Sequence, residues 1–248
     1  MIFFFLFFLI VFNFDVYAKQ SLSLAVASNF VEPLKLIKTK FEKKNNIELT
    51  IVKGSTSQLY SQIINNAPIE IFLSADQLTP KKLPKKFVTE KDQFTYAIGR
   101  LVLWTNYNKK KYKNARTFLR EIKINKLVIA NPKVSPYGKA SKDFLKNINV
   151  WDDINTKLVY ANNINQVVSF LYSGNIKTGL ISYSDKNKLR ELKKGVFLEV
   201  SETFYPEIKQ DVILLAKGKE NHFSKIFLKF LRTSEIKQVI RSFGYKVN

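Results

Sequence analysis

The chain has 248 residues, a formal net charge of +21, one His and no Cys. This length fits one large domain or two small ones, and the 46% apolar content supports a packed core, which excludes wholesale disorder. The absence of Cys excludes disulfides, Cys-ligated zinc, iron–sulfur clusters, a catalytic thiol and a lipid anchor on Cys.

The first segment has the pattern of a secretory signal. Residues 2–12 form an unbroken apolar run that is too short for a membrane span, which needs about 20 residues. Val16-Tyr17-Ala18 supplies a relaxed small-residue cleavage pattern, although no Lys or Arg precedes the run. We expect a cleavable signal peptide over residues 1–18 and a mature periplasmic protein without a lipid anchor. The alternative is an uncleaved N-terminal anchor.

After this segment, apolar runs alternate with amphipathic segments. The runs predict strands at 22–27, 47–53, 69–74, 94–105, 127–130, 157–161, 178–182 and 211–216. The amphipathic segments predict helices at 31–44, 58–65, 139–147, 166–172, 221–232 and 234–243. This alternation indicates βαβ crossovers and therefore an α/β fold with mostly parallel sheets.

The chain contains no long linker, so a two-lobed arrangement must cross between lobes through extended segments. The stretches near 94–99 and 205–211 are the natural crossings. They predict lobe I from residues 19–97 plus 208–248, and lobe II from residues 98–207.

Three predicted strands end in hydroxyl-bearing turns that precede a helix. Ser28 follows the first strand, Ser55 and Thr56 follow the second, and the loop from Ser135 to Tyr137 follows the strand at 127–130. Ligands in open α/β sheets lie at the carboxyl ends of strands, where helix N-termini offer free N–H groups. Converging turns of this kind predict an oxyanion site built from neutral donors. Each hydroxyl alone could equally be a helix N-cap.

The remaining polar features favour structural roles. His222 falls at a helix start and is interpreted as a surface residue, and Asp152-Asp153 as a capped helix start. The positive charge would attract polyanions, but Lys is spread along the whole chain, which favours a compositional bias. No nucleic-acid-binding motif is present.

Six runs, in this order, resemble the periplasmic molybdate-binding proteins of ABC transporters (the ModA family). They are Ala25–Phe30, Lys53–Leu59, Ala67–Asp76, Asn131–Gly138, Gly179–Asp185 and Phe243–Tyr245. The resemblance covers essentially the whole mature chain. It implies a bilobal periplasmic-binding-protein type II fold, with two mixed, mostly parallel sheets flanked by helices and a ligand cleft between the lobes.

The resemblance also implies the residues that bind the ligand. Ser28 and Thr56 match hydroxyl donors of the family, with Ser55 flanking Thr56, and Tyr137 and Ile164 match backbone N–H donors. The family often has a Tyr hydroxyl at the position of Ser182. Ser182 donates over a longer reach, the adjacent Tyr183 substitutes, or this contact is missing.

The function implied is capture of molybdate or tungstate for an ABC permease in the inner membrane, by a monomer that has no cofactor and catalyses no reaction. Two alternatives stay open. One is a receptor for another oxyanion such as sulfate, and the other is a secreted basic protein that binds polyanions.

Overall fold

The computed structural model describes residues 20–107, 112–192 and 194–247. The predicted signal peptide over residues 1–18 therefore lies outside the described residues. The strands in chain order are β1 (Ser21–Ala27), β2 (Glu48–Gly54), β3 (Ile71–Leu73), β4 (Val88–Gly99), β5 (Leu101–Thr105), β6 (Leu127–Ala130), β7 (Leu158–Ala161), β8 (Thr178–Ser182), β9 (Val196–Glu199) and β10 (Ile208–Leu215).

These strands form two mixed sheets with the same plan. The first has the order β2-β1-β3-β10-β4, with β1 parallel to β2 and β3, and β10 antiparallel to β3 and β4. The second has the order β7-β6-β8-β5-β9, with β6 parallel to β7 and β8, and β5 antiparallel to β8 and β9. In each sheet one of the described strands runs against the other four, so the sheets are mixed and mostly parallel, as predicted.

Helices cover both sheets. They are α1 (Val31–Asn45), α2 (Thr56–Ile64), α3 (Leu78–Lys81), α4 (Ala115–Glu121), α5 (Pro136–Asn147), α6 (Trp151–Ile154), α7 (Ile164–Tyr172), α8 (Lys186–Arg190), α9 (His222–Leu231) and α10 (Ser234–Ser242). The longest, α1, buries Leu34, Ile37 and Phe41 on one face and ends where Asn46 adopts the left-handed conformation (φ 49°). Among the described residues, no helix has the length and apolar character needed to cross a membrane.

The predicted strand at 94–105 is wrong in two respects: the extended segment begins at Val88, and it forms two strands in different sheets. β4 ends at Gly99 in the first sheet, and β5 begins at Leu101 in the second. Arg100 is therefore one crossing between the sheets, and the segment between Glu199 and Ile208 is the other. An apolar run that passes from one core into another carries no periodicity change that would mark the break.

The apolar cores are separate. One cluster lies between 101 and 208 and includes Leu103 and Phe144. The other two clusters contain residues between 22 and 97 together with residues from 212 onward. One surrounds Phe41 and Phe227, and the other surrounds Leu59. Each sheet thus has its own core. The division at 97/98 and 207/208 stays a prediction, and Ile98 and Gly99 still pair with β10 in the first sheet.

Candidate functional site

Four helix starts lie at the carboxyl ends of parallel strands. In the first sheet, Ala27 pairs with Gly54, so the turns after β1 and β2 are side by side. In the second sheet, Ala130 pairs with Ala161, so the turns after β6 and β7 are also side by side. The first N–H groups of a helix have no partner within that helix, which makes each turn a set of donors.

The first turn runs from Ser28 to Phe30 as a 3-10 turn that continues into α1. No side chain caps it, so its N–H groups are not consumed by a cap. Ser28 is 7% exposed, and its hydroxyl forms no hydrogen bond with any residue in the described part of the chain. Its proton is thus available to an acceptor in the cleft.

The second turn is built by a capping box. The Ser55 hydroxyl accepts from the Gln58 N–H at 3.3 Å, and the Gln58 side chain accepts from the Ser55 N–H at 2.9 Å. Thr56 is 2% exposed, and its Oγ1 accepts from the Ala75 N–H at 3.3 Å. Because these hydroxyls accept within the protein, each still has a proton to donate.

The third and fourth turns begin α5 and α7. Ser135 does not cap α5 through its side chain, and Pro136 at the first position has no N–H, so Tyr137 supplies the first free N–H of that helix. Asn163 caps α7 by accepting from the Gln166 N–H at 3.0 Å, which leaves the N–H of Ile164 outside the cap. Tyr137 and Ile164 are each 1% exposed.

The two lobes are in contact across these turns. The Ser57 N–H in α2 donates to the carbonyl oxygen of Val134, just before α5, at 3.5 Å. The Ser184 hydroxyl after β8 donates to the carbonyl oxygen of Asn29 in the first turn at 3.0 Å. These two hydrogen bonds place the first turn next to the end of β8 and the second turn next to the start of α5.

Ser182 and Tyr183 are placed differently from each other. Ser182 is 1% exposed, and its Oγ lies 3.2 Å from Tyr137 Oη and 2.7 Å from Ser184 Oγ, so its hydroxyl is engaged within the protein. Tyr183 is half-buried, and its ring lies between Arg100 and Lys186, whose cationic groups are 4.7 and 4.2 Å from the ring centroid. The ring of Tyr183 thus belongs to a cation–π stack with these two residues.

A buried polar network lies behind the turns and links the lobes. The carbonyl oxygen of Asn29 accepts from the Tyr245 hydroxyl at 2.7 Å, and Asn29 Nδ2 donates to Gln210 Oε1 at 2.8 Å. Gln210 Nε2 donates to Tyr137 Oη at 3.2 Å. Sequence reasoning missed Asn29, Gln210 and Tyr245 as supporting residues. The runs Ala25–Phe30 and Phe243–Tyr245, which contain Asn29 and Tyr245, could have indicated these two, whereas no run contained Gln210.

The donors themselves are electrically neutral. Burial raises the pKa of the Tyr137 hydroxyl well above its ordinary value, and burial raises the pKa of Tyr245 to about 12. In the described part of the chain, no Lys or Arg side chain forms a hydrogen bond or ion pair with Ser28, Thr56 or the other candidate donors. An anion in the cleft would therefore be held by hydroxyl and N–H groups, with helix N-termini supplying partial positive charge.

No described part of the chain gathers three His, Cys, Asp or Glu residues in a metal-binding arrangement. His222 is the first residue of α9, as predicted, and Asp152 and Asp153 lie in the first turn of α6. His222 is exposed, as interpreted. The start of α6 has no side-chain cap, so the interpretation of Asp152-Asp153 as a capped start is wrong, and the two carboxylates only lie in its first turn.

Comparisons with known proteins agree with this geometry. The profile of the bacterial extracellular solute-binding proteins matches residues 22–246. Two relatives are named molybdate-binding protein ModA: one from Azotobacter vinelandii is 37% identical, covering 89% of this chain and 88% of the relative, and one from Rhodobacter capsulatus is 35% identical, covering 89% and 86%.

A solved structure, titled as the periplasmic molybdate-binding protein of Azotobacter vinelandii, superposes with a TM-score of 0.83. It is 26% identical and covers 92% of this chain and 99% of its own. The fold is thus the bilobal periplasmic-binding-protein type. The chain belongs to the bacterial extracellular solute-binding proteins and, within them, to the ModA family.

Proposed function

We propose that this protein captures molybdate or tungstate in the cleft between its lobes and delivers it to an ABC importer. The proposal is supported by four neutral helix starts at strand ends, two from each lobe, and by the hydrogen bonds from Ser57 to Val134 and from Ser184 to Asn29 that join the lobes beside them. The names of the relatives at 35% and 37% identity support the same ligand.

The donor set suits a tetrahedral dianion. A dianion in a dry cleft must spread its charge over many hydrogen bonds, and fixed backbone donors provide these with little reorganisation. A site of donors alone disfavours protonated phosphate, because the phosphate O–H would find no acceptor. The size of the closed cleft then separates molybdate and tungstate from the smaller sulfate.

Each proposed residue has a defined task. Ser28, Ser55 and Thr56 donate through their hydroxyls, and Tyr137 and Ile164 donate through their backbone N–H groups. In this proposal Ser182 acts through Tyr137, because its hydroxyl donates to Tyr137 Oη. Tyr183 stays the alternative to Ser182 as a hydroxyl donor, with its ring within cation–π distance of Arg100 and Lys186.

The lobes of the proposal are residues 19–97 plus 208–248 and residues 98–207, which close about the crossings near Arg100 and before Ile208. Closing on the anion creates the form that a permease recognises. The mature chain acts as a periplasmic monomer after cleavage of residues 1–18, without a lipid anchor, a cofactor or a catalysed reaction.

A thermal-shift titration of residues 19–248 with molybdate, tungstate, sulfate and phosphate at fixed ionic strength tests the proposal. A ligand at 100 times its Kd adds about 2.7 kcal/mol of stability. For a chain of this size, that raises Tm by about 5 to 11 °C. We expect this shift with molybdate and tungstate only. A shift with sulfate alone would reassign the ligand, and no shift with any of the four would contradict the proposal.

A further inference from the structure

One charged cluster joins the lobes beside the cleft. Lys188 in α8 places its Nζ 3.3 Å from Glu32 Oε1 in α1, 2.9 Å from Asp185 Oδ1 and 3.2 Å from Asn165 Oδ1. The ammonium group donates hydrogen bonds to Asp185 and Asn165 and forms an ion pair with Glu32. Asp185 and Asn165 belong to the same lobe as Lys188, whereas Glu32 belongs to the other lobe.

The cluster is attached to the proposed donors on both sides. Glu32 is the second residue of α1, directly after the turn that contains Ser28. Asn165 is the second residue of α7, next to Ile164. Asp185 follows Ser184, whose hydroxyl crosses to the first turn. The cluster therefore lies where two of the four helix starts meet across the cleft.

We propose that the Lys188–Glu32 ion pair is a clasp that sets how long the closed lobes retain the anion. The clasp deepens the proposed function and rests on it. When the lobes separate, Lys188 keeps Asp185 and Asn165 and loses only Glu32, so the Glu32 contact is the one that depends on closure.

The Lys188–Glu32 contact is partly buried, since the two side chains are 30% and 31% exposed. Asp185 is 1% exposed, so its carboxylate is buried. Its Oδ1 lies 2.9 Å from Lys188 Nζ, whereas its Oδ2 has no hydrogen-bond partner among the described residues. The buried carboxylate therefore holds the Lys188 side chain in place. Burial lowers the pKa of Lys188, but Asp185 and Glu32 outweigh this and raise it, which keeps the ammonium charged. A fixed cation loses little side-chain freedom on pairing, unlike an exposed Lys.

The test compares two lysines that contact the same Glu32 oxygen. Lys35 lies 3.1 Å from Glu32 Oε1 within α1, so Lys35→Gln removes a pair that does not cross the cleft. Glu32→Gln removes the clasp and keeps the ion pair between Lys188 and the buried Asp185. Lys188→Met combined with Asp185→Asn removes it from the other side without leaving a buried unpaired charge.

The first measurement is the dissociation rate of molybdate by stopped-flow competition with tungstate. We expect a rise of about 2- to 5-fold for Glu32→Gln and for Lys188→Met/Asp185→Asn, from the order of magnitude of one partly exposed ion pair. Lys35→Gln should leave the rate unchanged, and Glu32→Gln should add nothing in the double-variant background. An equal effect of Lys35→Gln, or no effect of Glu32→Gln, would overturn the clasp.

The second measurement needs no anion. Because the chain has no Cys, Lys43→Cys in α1 and Ser173→Cys after α7 allow spin labels on the two lobes and a distance distribution between them. We expect Glu32→Gln, but not Lys35→Gln, to reduce the closed population. If this holds but no oxyanion binds, the clasp stands and the proposed function fails. A closed population that is absent in the wild type, or unchanged by Glu32→Gln, overturns the clasp.

Discussion

Replacing Thr56 by Val separates two tasks of one hydroxyl. The hydroxyl accepts the Ala75 N–H at 3.3 Å, and in the proposed function its proton is donated to the anion. Thr56 and Ala75 are each 2% exposed, so water cannot replace either partner easily. Val has nearly the shape of Thr, which confines the change to the two hydrogen bonds.

The two losses have different sizes and different readouts. Leaving the buried Ala75 N–H without an acceptor costs about 1 to 3 kcal/mol of folding free energy. That lowers Tm by roughly 2 to 12 °C for a chain of this size. A hydrogen bond to a charged ligand contributes about 1.5 to 3 kcal/mol, so molybdate should bind about 10- to 150-fold more weakly. Thr56→Ser keeps the hydroxyl and should stay within about threefold of the wild-type Kd, by the same reasoning.

Calorimetric titration gives the Kd, and differential scanning calorimetry gives Tm. The matched control is Thr105→Val in the second sheet, where a hydroxyl that is 1% exposed lies 3.0 Å from Thr178 Oγ1 and accepts the Tyr107 N–H at 3.2 Å. The Thr105→Val protein should have a lower Tm than the wild type and the same Kd for molybdate. If Thr56→Val lost stability but bound molybdate as tightly as the wild type, the hydroxyl would serve Ala75 alone and the reasoning would be refuted.

Three further changes test the residues that support the site. In Gly99→Ala, the added methyl group would overlap Tyr137 Oη and lie 2.9 Å from Cζ, so we expect a loss of about 1 to 3 kcal/mol on denaturant unfolding, reduced in a Tyr137→Phe background. Tyr245→Phe removes the donor to the Asn29 carbonyl, which should weaken molybdate binding about 3- to 10-fold in calorimetric titration. Burial, opposed by the charge of Lys188, raises the pKa of Asp185 to about 6 from an ordinary 3.8, so the folded state holds this proton more tightly than the unfolded chain does. The contribution of Asp185 to stability should therefore fall by roughly 3 kcal/mol as pH rises from about 4 to about 6, and Asp185→Asn should remove that slope from denaturant unfolding curves. Equal slopes in both proteins would contradict this assignment.

Much of the fold could be predicted because its strands are short, continuous apolar runs. The strands at 127–130 and 178–182 were predicted with the limits that the structure has, and the helix at 31–44 was confirmed to within one residue. The helix Ala115–Glu121 was missed because seven residues make only about two turns. The strand Val196–Glu199 was missed because it ends on a charged residue and is not a wholly apolar run.

The candidate site could also be predicted only in part from the sequence. The turns at Ser28 and Thr56 could be predicted because strand, hydroxyl and helix follow one another along the chain. The network behind them could not, since Asn29 meets residues 181 and 216 positions away, Gln210 and Tyr245. Such contacts follow from the topology of both chain ends in one lobe, which no local pattern encodes.

The central claim is that one tetrahedral dianion binds per chain through neutral donors. Isothermal titration of residues 19–248 with sodium molybdate, repeated in excess sulfate, tests it most directly. We predict one saturable site per chain that tungstate displaces and that excess sulfate leaves occupied. Several weak sites that sulfate abolishes, or no saturable binding, would contradict the claim and indicate non-specific attraction of anions by the positive charge of the chain.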